Sequence, residues 1–359
     1  MLRHGEEIMK KLPTGSMLIG EMPEGCKLCQ RGLKFVLFIT GLCPRRCFYC
    51  PLGHDRRYVD IMFANEKKIS SIEEAIEEAI LMDAMGTGIT GGDPLIVYKR
   101  TLKSIYLLKR ELGKDHHIHL YTTGLISSIN LLRDLERVGL NEIRFHTLKP
   151  LSILREIKEE LHIDVGVEIP MLPDKVKEVE DLLKYLDNIK IDFVNINELE
   201  FSETNAISLL ERGYELREDS LVAAKGSREA AIEVLEWCEE NTSLNVHFCP
   251  AIIKDVYQTK LRLYRKAINI AEPFEIITDE GTLVSAEVDL YDINLNGLIS
   301  ILKRLPKGVF KIDFEHKRLI LRLDIIEFLI EEFREEGLDI YIREYLPLSN
   351  RVLVYEEKL

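Results

Sequence analysis

Glutamine and tryptophan are scarce in this sequence, and basic residues are too few to balance its acids. Among 359 residues glutamine occurs only at Gln30 and Gln258, and tryptophan only at Trp237. With 48 Lys and Arg against 61 Asp and Glu, the formal charge is −13. That charge excludes an indiscriminate coat for nucleic acid, because phosphate binding needs a positive surface. Only Arg45, Arg46, Arg56 and Arg57, and the stretch from Lys254 to Lys266, offer a local basic patch. No stretch approaches the ~20 uncharged apolar residues that span a bilayer, and the start, MLRHGEEIMKKLPTG, lacks the apolar centre of an export signal. The expectation is a soluble, cytoplasmic protein without membrane contact. Scarce glutamine beside abundant Glu, Lys and Ile resembles a heat-adapted composition.

Hydrophobic residues make up 46% of the chain, which rules out disorder and supplies a core for one large domain or two unequal ones. From residue 34 onward short β-branched runs alternate with amphipathic stretches, the pattern of βα units around a parallel sheet. Strands are expected at 34–40, 88–92, 117–123, 142–147, 164–170, 192–198 and 245–249, with helices between them and a basic helix over 252–270. Ser70 and Ser71 open one helix, and Gly139 closes another. Within the strands alternate positions are polar: His117, His119, Tyr121 and Thr123; Arg144 and His146; Glu168; Asn195 and Asn197; His247 and Cys249. If the apolar faces pack on helices, these residues line a lumen. The fold expected is α/β, a partial (βα)6-type parallel TIM-like barrel over 34–271, preceded by an N-terminal extension, 1–33. After Ala271 the order becomes β-α-β-β-α-β, that of a ferredoxin-like α+β domain. Residues 272–359 carry no cysteine and no concentrated polar motif, and read as an accessory domain.

Five of the seven cysteines fall between Cys26 and Cys50. In a reducing compartment such crowding points to metal or cluster ligation rather than disulfides. Cys43, Cys47 and Cys50 sit in one loop directly after the first strand, at the mouth where barrel active sites lie. Structural zinc takes four closed ligands, whereas three thiolates from one loop leave a position open. Iron–sulfur clusters are held by thiolates, and a cubane bound at three irons keeps a fourth free. A zinc loop stays as the alternative. Cys26 and Cys29 form a C-x2-C pair, and Cys249 ends the last strand beside His247. These four read either as a second metal site, zinc or an auxiliary cluster, or, for the first pair alone, as a local zinc knuckle. Cys238, in EVLEWCEEN, reads as a buried small hydrophobe.

The spacing Cys43-x3-Cys47-x2-Cys50, with Tyr49 just before the last cysteine, resembles the radical S-adenosylmethionine superfamily, and in particular archaeal proteins related to pyruvate formate-lyase activating enzyme. The resemblance implies that the three cysteines bind a [4Fe-4S] cluster whose unique iron is chelated by S-adenosylmethionine. It also implies a one-electron donor of ferredoxin or flavodoxin type, and a 5′-deoxyadenosyl radical that abstracts hydrogen from a substrate. Gly91-Gly92-Asp93 resembles the segment that holds the methionine amino group, with Asp93 where Glu is usual. Thr123 with Thr122 and Gly124, then Arg144 and His146, and then Asn195 and Asn197, fall where the family contacts the rest of the cofactor. Arg144 has an alternative role as the ion-pair partner of Glu168. Three substrate classes are open: a protein glycyl residue, an RNA nucleotide suggested by Lys254, Lys260, Arg262, Arg265 and Lys266, or a small molecule. The competing function is a non-catalytic zinc- or cluster-binding interaction protein.

Overall fold

The computed structural model describes residues 9–291, 295–348 and 350–359. Residues 1–8 of the N-terminal stretch, and 292–294 and 349 of the expected accessory domain, lie outside them. By internal contact the chain divides into two units, 1–80 with 84–258 and 81–83 with 259–359.

The first unit is a βα alternation. Its strands are β1 (Lys10–Lys11), β2 (Met17–Ile19), β3 (Lys34–Thr40), β4 (Met62–Ala64), β5 (Lys67–Ile69), β6 (Gly86–Gly91), β7 (His117–Thr122), β8 (Glu142–Phe145), β9 (Asp164–Met171), β10 (Phe193–Glu198) and β11 (Val246–Cys249). Its helices are α1 (Glu24–Gln30), α2 (Ile72–Leu81), α3 (Tyr98–Leu112), α4 (Ile129–Arg137), α5 (Ile153–Glu160), α6 (Val176–Asn188), α7 (Ala206–Leu210) and α8 (Ser227–Asn241). One sheet runs β1-β2-β11-β10-β9-β8-β7-β6-β3-β4-β5. The ladders from β11 across to β3 are all parallel.

Two features at the sheet's ends were not anticipated. Residues 10–19 pair as a hairpin, β2 running antiparallel to β11, so the N-terminal segment is built into the first unit. At the other end the β4–β5 hairpin lies antiparallel on β3. Asn65 turns this hairpin with φ 51°, a left-handed conformation that asparagine tolerates, and its Oδ1 accepts from Val36 N at 2.9 Å. Both additions cover an edge of the parallel sheet.

The strand alternation behaves as read. Ile118, Leu120, Ile143, Phe145, Val167 and Ile169 are fully buried on one face, and the polar residues occupy the other. The helix α1 closes the N-terminal end of that polar face. Its Gly25 N donates to Glu142 Oε2 at 3.4 Å, and a Cβ at Gly25 would run into His119 and Arg144. Cys238 is fully buried in α8, as expected.

The expected basic helix is two elements, a π-helical stretch Ile253–Thr259 and α9 (Lys260–Ile270). The unit boundary falls near that joint rather than at 271/272. Here α9 belongs with 81–83, through Arg265 Nε to Met82 O at 3.2 Å and Asn269 Nδ2 to Leu81 O at 3.0 Å. Nor do its cations form an open basic patch. Lys254 pairs with Glu200 and Lys260 with Glu280, while Arg262 and Lys266 are buried.

The second unit continues with β12 (Ile276–Ile277), β13 (Leu283–Asp289), α10 (Leu295–Leu302), β14 (Phe310–Asp313), β15 (Arg318–Leu321), α11 (Leu323–Glu335), β16 (Ile340–Tyr345) and β17 (Leu353–Lys358). Its antiparallel sheet runs β14-β15-β13-β16-β17, with β12 on β13. One face holds an apolar core around Phe333, Leu319, Leu321 and Ile326. The unit does concentrate polar groups. Glu287, 1% exposed, accepts from Arg318 and Arg343 at 2.7 Å and from Tyr345 Oη at 2.8 Å. The sequence hid this cluster because its members lie on three different strands.

Candidate active site: a chamber from the cysteine loop to the sheet floor

A cavity of about 450 Å³ opens at the C-terminal ends of the parallel strands. Cys43, Cys47 and Cys50, from the loop after β3, line its rim and are each partly exposed. Burial raises the Cys43 and Cys47 thiols above their ordinary range. Arg45 and Arg57 line the same rim; Arg57 Nη2 donates to Cys47 O at 3.1 Å and Arg45 Nη2 to Thr123 O at 3.4 Å. The next two arginines point elsewhere, Arg56 over Phe63 at 3.8 Å and Arg46 over Tyr58 at 5.8 Å.

The loop is pinned from both sides. Phe48 stacks on Tyr214 at 6.2 Å, and Tyr49 packs with Leu172, Leu199 and Leu209. Tyr49 Oη lies 3.1 Å from His146 Nε2, and His146 Nδ1 lies 3.0 Å from the Glu168 carbonyl. A carbonyl can only accept, so this network puts the imidazole proton on Nδ1, leaving Nε2 to accept from tyrosine. Burial lowers the His146 pKa and keeps the ring neutral.

Gly91 and Gly92 also line the rim. Glycine is required here for a reason beyond ligand approach. Gly91 has φ +139°, and a Cβ on it would meet Thr40 O, while one on Gly92 would meet Leu42 O. Gly92 N donates to Thr40 O at 2.8 Å and Asp93 N to Leu42 O at 2.7 Å, fastening the turn to the first residues of the cysteine loop. Asp93 departs from the expected cofactor contact. It is fully buried and lies off the cavity wall; its carboxylate accepts from Leu95 N, Thr122 Oγ1, Thr123 N and Thr123 Oγ1 at 2.6–3.2 Å. It thereby positions Thr122 and Thr123, which do line the rim.

A smaller cavity of about 80 Å³ lies toward the floor and shares Lys34, Tyr121, Glu168, Asn197, Lys254 and Gln258 with the larger one, Lys254 being paired with Glu200. Arg144 and Asn195 line only this lower cavity, so neither faces the rim as the expected cofactor contacts would. The ion-pair alternative describes Arg144: it is 2% exposed, with Nη1 2.8 Å from Glu168 Oε2 and Nε on Glu142 Oε1. Burial alone would raise the Glu168 carboxyl, but the Arg144 guanidinium and the Asn195 and Asn197 amides pull it down to about 2. Both amides donate to it at 2.9 Å.

Cys26, Cys29, Cys249 and His247 all line the lower cavity, so the fold brings together thiols more than 200 residues apart. Cys26 Sγ accepts from Asn195 Nδ2 at 3.3 Å and Arg144 Nη1 at 3.5 Å, and burial pushes its thiol up to about 11. Among the described residues no three Cys, His, Asp or Glu side chains stand in the geometry of a metal ion. That holds for the rim cysteines and for these four alike.

Sequence reading missed Lys34 as a site residue. Its one signal was a lysine heading the otherwise apolar run KFVLFIT. Tyr121 and Glu168 were placed on the polar face without a role. Among the described residues no helix is long and apolar enough to cross a membrane.

The sequence pattern of the Radical SAM superfamily matches residues 37–147, from β3 through the cysteine loop to the end of the fourth parallel strand. A protein of Methanocaldococcus jannaschii, provisionally named a glycyl-radical enzyme activating enzyme, is 38% identical over 368 aligned positions, covering 97% of this chain and 95% of its own. Among solved structures, Streptococcus suis SuiB bound to S-adenosylmethionine is 13% identical over 65% of this chain and 55% of its own, with a TM-score of 0.45. The radical S-adenosylmethionine methyltransferase TsrM from Kitasatospora setae is 11% identical over 73% and 57%, with a TM-score of 0.37. The chain spans little more than half the length of these two structures, and likeness at that level adds nothing to the assignment. The family implies a [4Fe-4S] cluster and S-adenosylmethionine, and the rim suits them: three half-buried thiols on one wall, two guanidinium groups beside them, and open volume in front. With the M. jannaschii protein aligned along nearly its whole length, the chain belongs to the radical SAM superfamily.

Proposed function

We propose that the chain is an activating-type radical enzyme that removes a hydrogen atom from a carbon of a substrate admitted to the chamber. The observation that carries this reading is the set of Cys43, Cys47 and Cys50 facing, within one cavity, the Gly91-Gly92 turn and the polar strand face. In this reading the three thiolates hold three irons of a [4Fe-4S] cluster, and Arg45 and Arg57 offset their negative charge. The Gly91-Gly92 backbone, Thr123, His146 and Asn197 hold S-adenosylmethionine, while Asp93 and Tyr49 act by fixing Thr123 and His146. When bound, the cluster and S-adenosylmethionine supply a 5′-deoxyadenosyl radical. The apolar packing of Phe48, Leu199 and Tyr214 behind the loop limits water at the rim.

The M. jannaschii relative's name favours a glycyl residue of a partner protein as substrate, and reductive cleavage in this reading calls for a one-electron donor of ferredoxin or flavodoxin type. An RNA substrate has lost its support, since the basic stretch is paired or buried. We further read the parallel sheet as a partial (βα)6-type barrel, because β3, β6, β7, β9 and β10 line the larger cavity while β8 and β11 line the smaller one that adjoins it. Residues 272–359 are read as ferredoxin-like, since β13, β14, β15 and β16 lie in the order second, third, first, fourth.

Anaerobic reconstitution tests the reading. We expect ~4 irons and ~4 sulfides per chain, and 5′-deoxyadenosine on reduction with S-adenosylmethionine. Retained zinc with no deoxyadenosine formed overturns it in favour of a structural metal protein.

A further inference from the structure

Lys34 heads β3 and is 9% exposed, yet it makes no hydrogen bond and no ion pair among the described residues. An ammonium withdrawn from water without a partner is strongly disfavoured, and folds keep such a group where something else supplies the partner. The charged and titratable groups around Lys34 do not supply one. They are the Cys29 and Cys26 thiols, the Tyr121 phenol, the Arg144 guanidinium and the His119 ring, while the Glu168 carboxylate that lines the same cavities is paired with Arg144. Burial and the Arg144 guanidinium work against its charge, which an anion bound beside it would favour.

Tyr121 stands beside it in the same two cavities. Its oxygen accepts from Arg144 Nη1 at 3.3 Å, while its own O–H has no acceptor among the described residues. Burial raises its pKa, so the hydroxyl stays a donor. The four N–H and O–H bonds of Lys34 and Tyr121 are therefore unused at a place that both cavities reach.

The position is distinct from the rim. Six residue steps of ~3.3 Å along β3 put Lys34 ~20 Å from Thr40, where the cysteine loop begins. The lower cavity, about 80 Å³, holds about three waters at ~30 Å³ each, which is room for one small charged group and not for a stretch of backbone. Glu168 shares the cavity, ionised, so a monoanion fits better than a phosphate dianion.

We propose that Lys34 and Tyr121 form the floor of a substrate subsite that binds a carboxylate, carried into the chamber by the molecule whose C–H bond is attacked at the rim. The inference rests on the radical reading for what happens at the rim, while binding at the floor is measured without turnover. The carboxylate is either the tail of an organic acid or an acidic side chain of a protein substrate.

The test uses the reconstituted protein without reductant or S-adenosylmethionine, followed by thermal shift and calorimetry. The probes are hexanoate, hexanamide, hexyl phosphate and a blocked glycine-rich tetrapeptide with one glutamate. We expect saturable protection by hexanoate or by the peptide, the stronger of the two naming the source, and none by hexanamide. Lys34→Met weakens binding at least tenfold, and Tyr121→Phe about three- to tenfold, as for one lost hydrogen bond. In the absence of probe Lys34→Met melts no lower than wild type, because no native partner is lost. The proposal is overturned if neither carboxylate protects the wild type, if hexyl phosphate binds more tightly than both, if Lys34→Met binds unchanged, or if it melts lower without probe. Loss of this binding with 5′-deoxyadenosine still formed by the wild type removes only the subsite. Binding without 5′-deoxyadenosine removes only the radical reading.

Discussion

At the rim of the chamber, Cys43, Cys47 and Cys50 are partly exposed thiols beside two guanidinium groups, on a loop held by aromatic packing and a glycine turn. At the floor, Arg144, Glu142 and Glu168 form a buried ionic network in which the guanidinium is shared between two carboxylates. The rim is built to receive charge that the chain does not itself carry, so its residues contribute little to folding. The network already holds its charges and must keep them matched, because a buried ion left alone is far more costly than a buried pair. Function and stability should therefore separate along the axis of one cavity.

The largest expected effect is at the rim. Cys47→Ala should abolish iron retention beyond background and 5′-deoxyadenosine formation, while changing the unfolding free energy by less than about 1 kcal/mol, since the half-buried thiol fills little core. Iron analysis with a chemical melt on the same preparation checks both halves. A large loss of stability would break the separation.

Arg144→Ala should act in the opposite sense, destabilising by about 3–5 kcal/mol because Glu142 and Glu168 are left buried without their counter-charge. Adding Glu142→Gln and Glu168→Gln to Arg144→Met should recover most of that loss. Urea denaturation of the single and triple variants measures it. An Arg144→Ala protein as stable as wild type would mean that the ionic network contributes nothing.

Between the two lies Asp93, expected at the rim but serving as a strut. Asp93→Asn keeps the shape and removes acceptors from Thr123, so it should cost about 1–3 kcal/mol for the orphaned buried donor. It should also weaken S-adenosylmethionine binding by loosening Thr123. If affinity falls with no loss of stability, Asp93 belongs to the rim after all.

The same axis explains what could be read from the sequence. The rim was legible because its chemistry is local: three cysteines in eight residues, and a Gly-Gly turn whose glycines are forced by backbone contacts at Thr40 and Leu42. The strands were legible because a period of two survives in HIHLYT and FVNINE. The floor was legible only in part: Cys26, Cys29, Cys249 and His247 were grouped and do line one cavity, but Arg144 meets Glu142 and Glu168 on separate levels of the sheet, and α1, which brings Cys26 and Cys29 beneath them, is a seven-residue helix with no periodic signal. For Arg144 the sequence offered two roles, and only the register of β8 against β9 places it under Glu168 rather than at the rim. Asp93 was misplaced for a related reason: adjacency to two glycines says where the backbone goes, not that the carboxylate turns inward to the end of β7.

The smallest expected effect is the share of the pH dependence that His116 carries at the floor end of the strands. His116 precedes β7 and is 4% exposed, with Nε2 2.7 Å from Thr87 Oγ1. Burial, helped by nearby Lys109, lowers its pKa to about 4 from the ordinary 6.5. The folded state thus favours the neutral ring. Its contribution is complete above pH 6.5, where the unfolded chain is also neutral, and is lost progressively as pH falls from 6.5 toward 4, where the unfolded chain binds the proton first. At pH 6 the loss from this one group is about 0.8 kcal/mol. His116→Gln should flatten that part of the stability curve in a urea titration between pH 7.5 and 5.5. The Cys43 and Cys47 thiols at the rim are raised rather than lowered, so without a cluster they add no slope of their own in this window. An unchanged slope in His116→Gln would move the titrating group elsewhere and remove this part of the contrast between rim and floor.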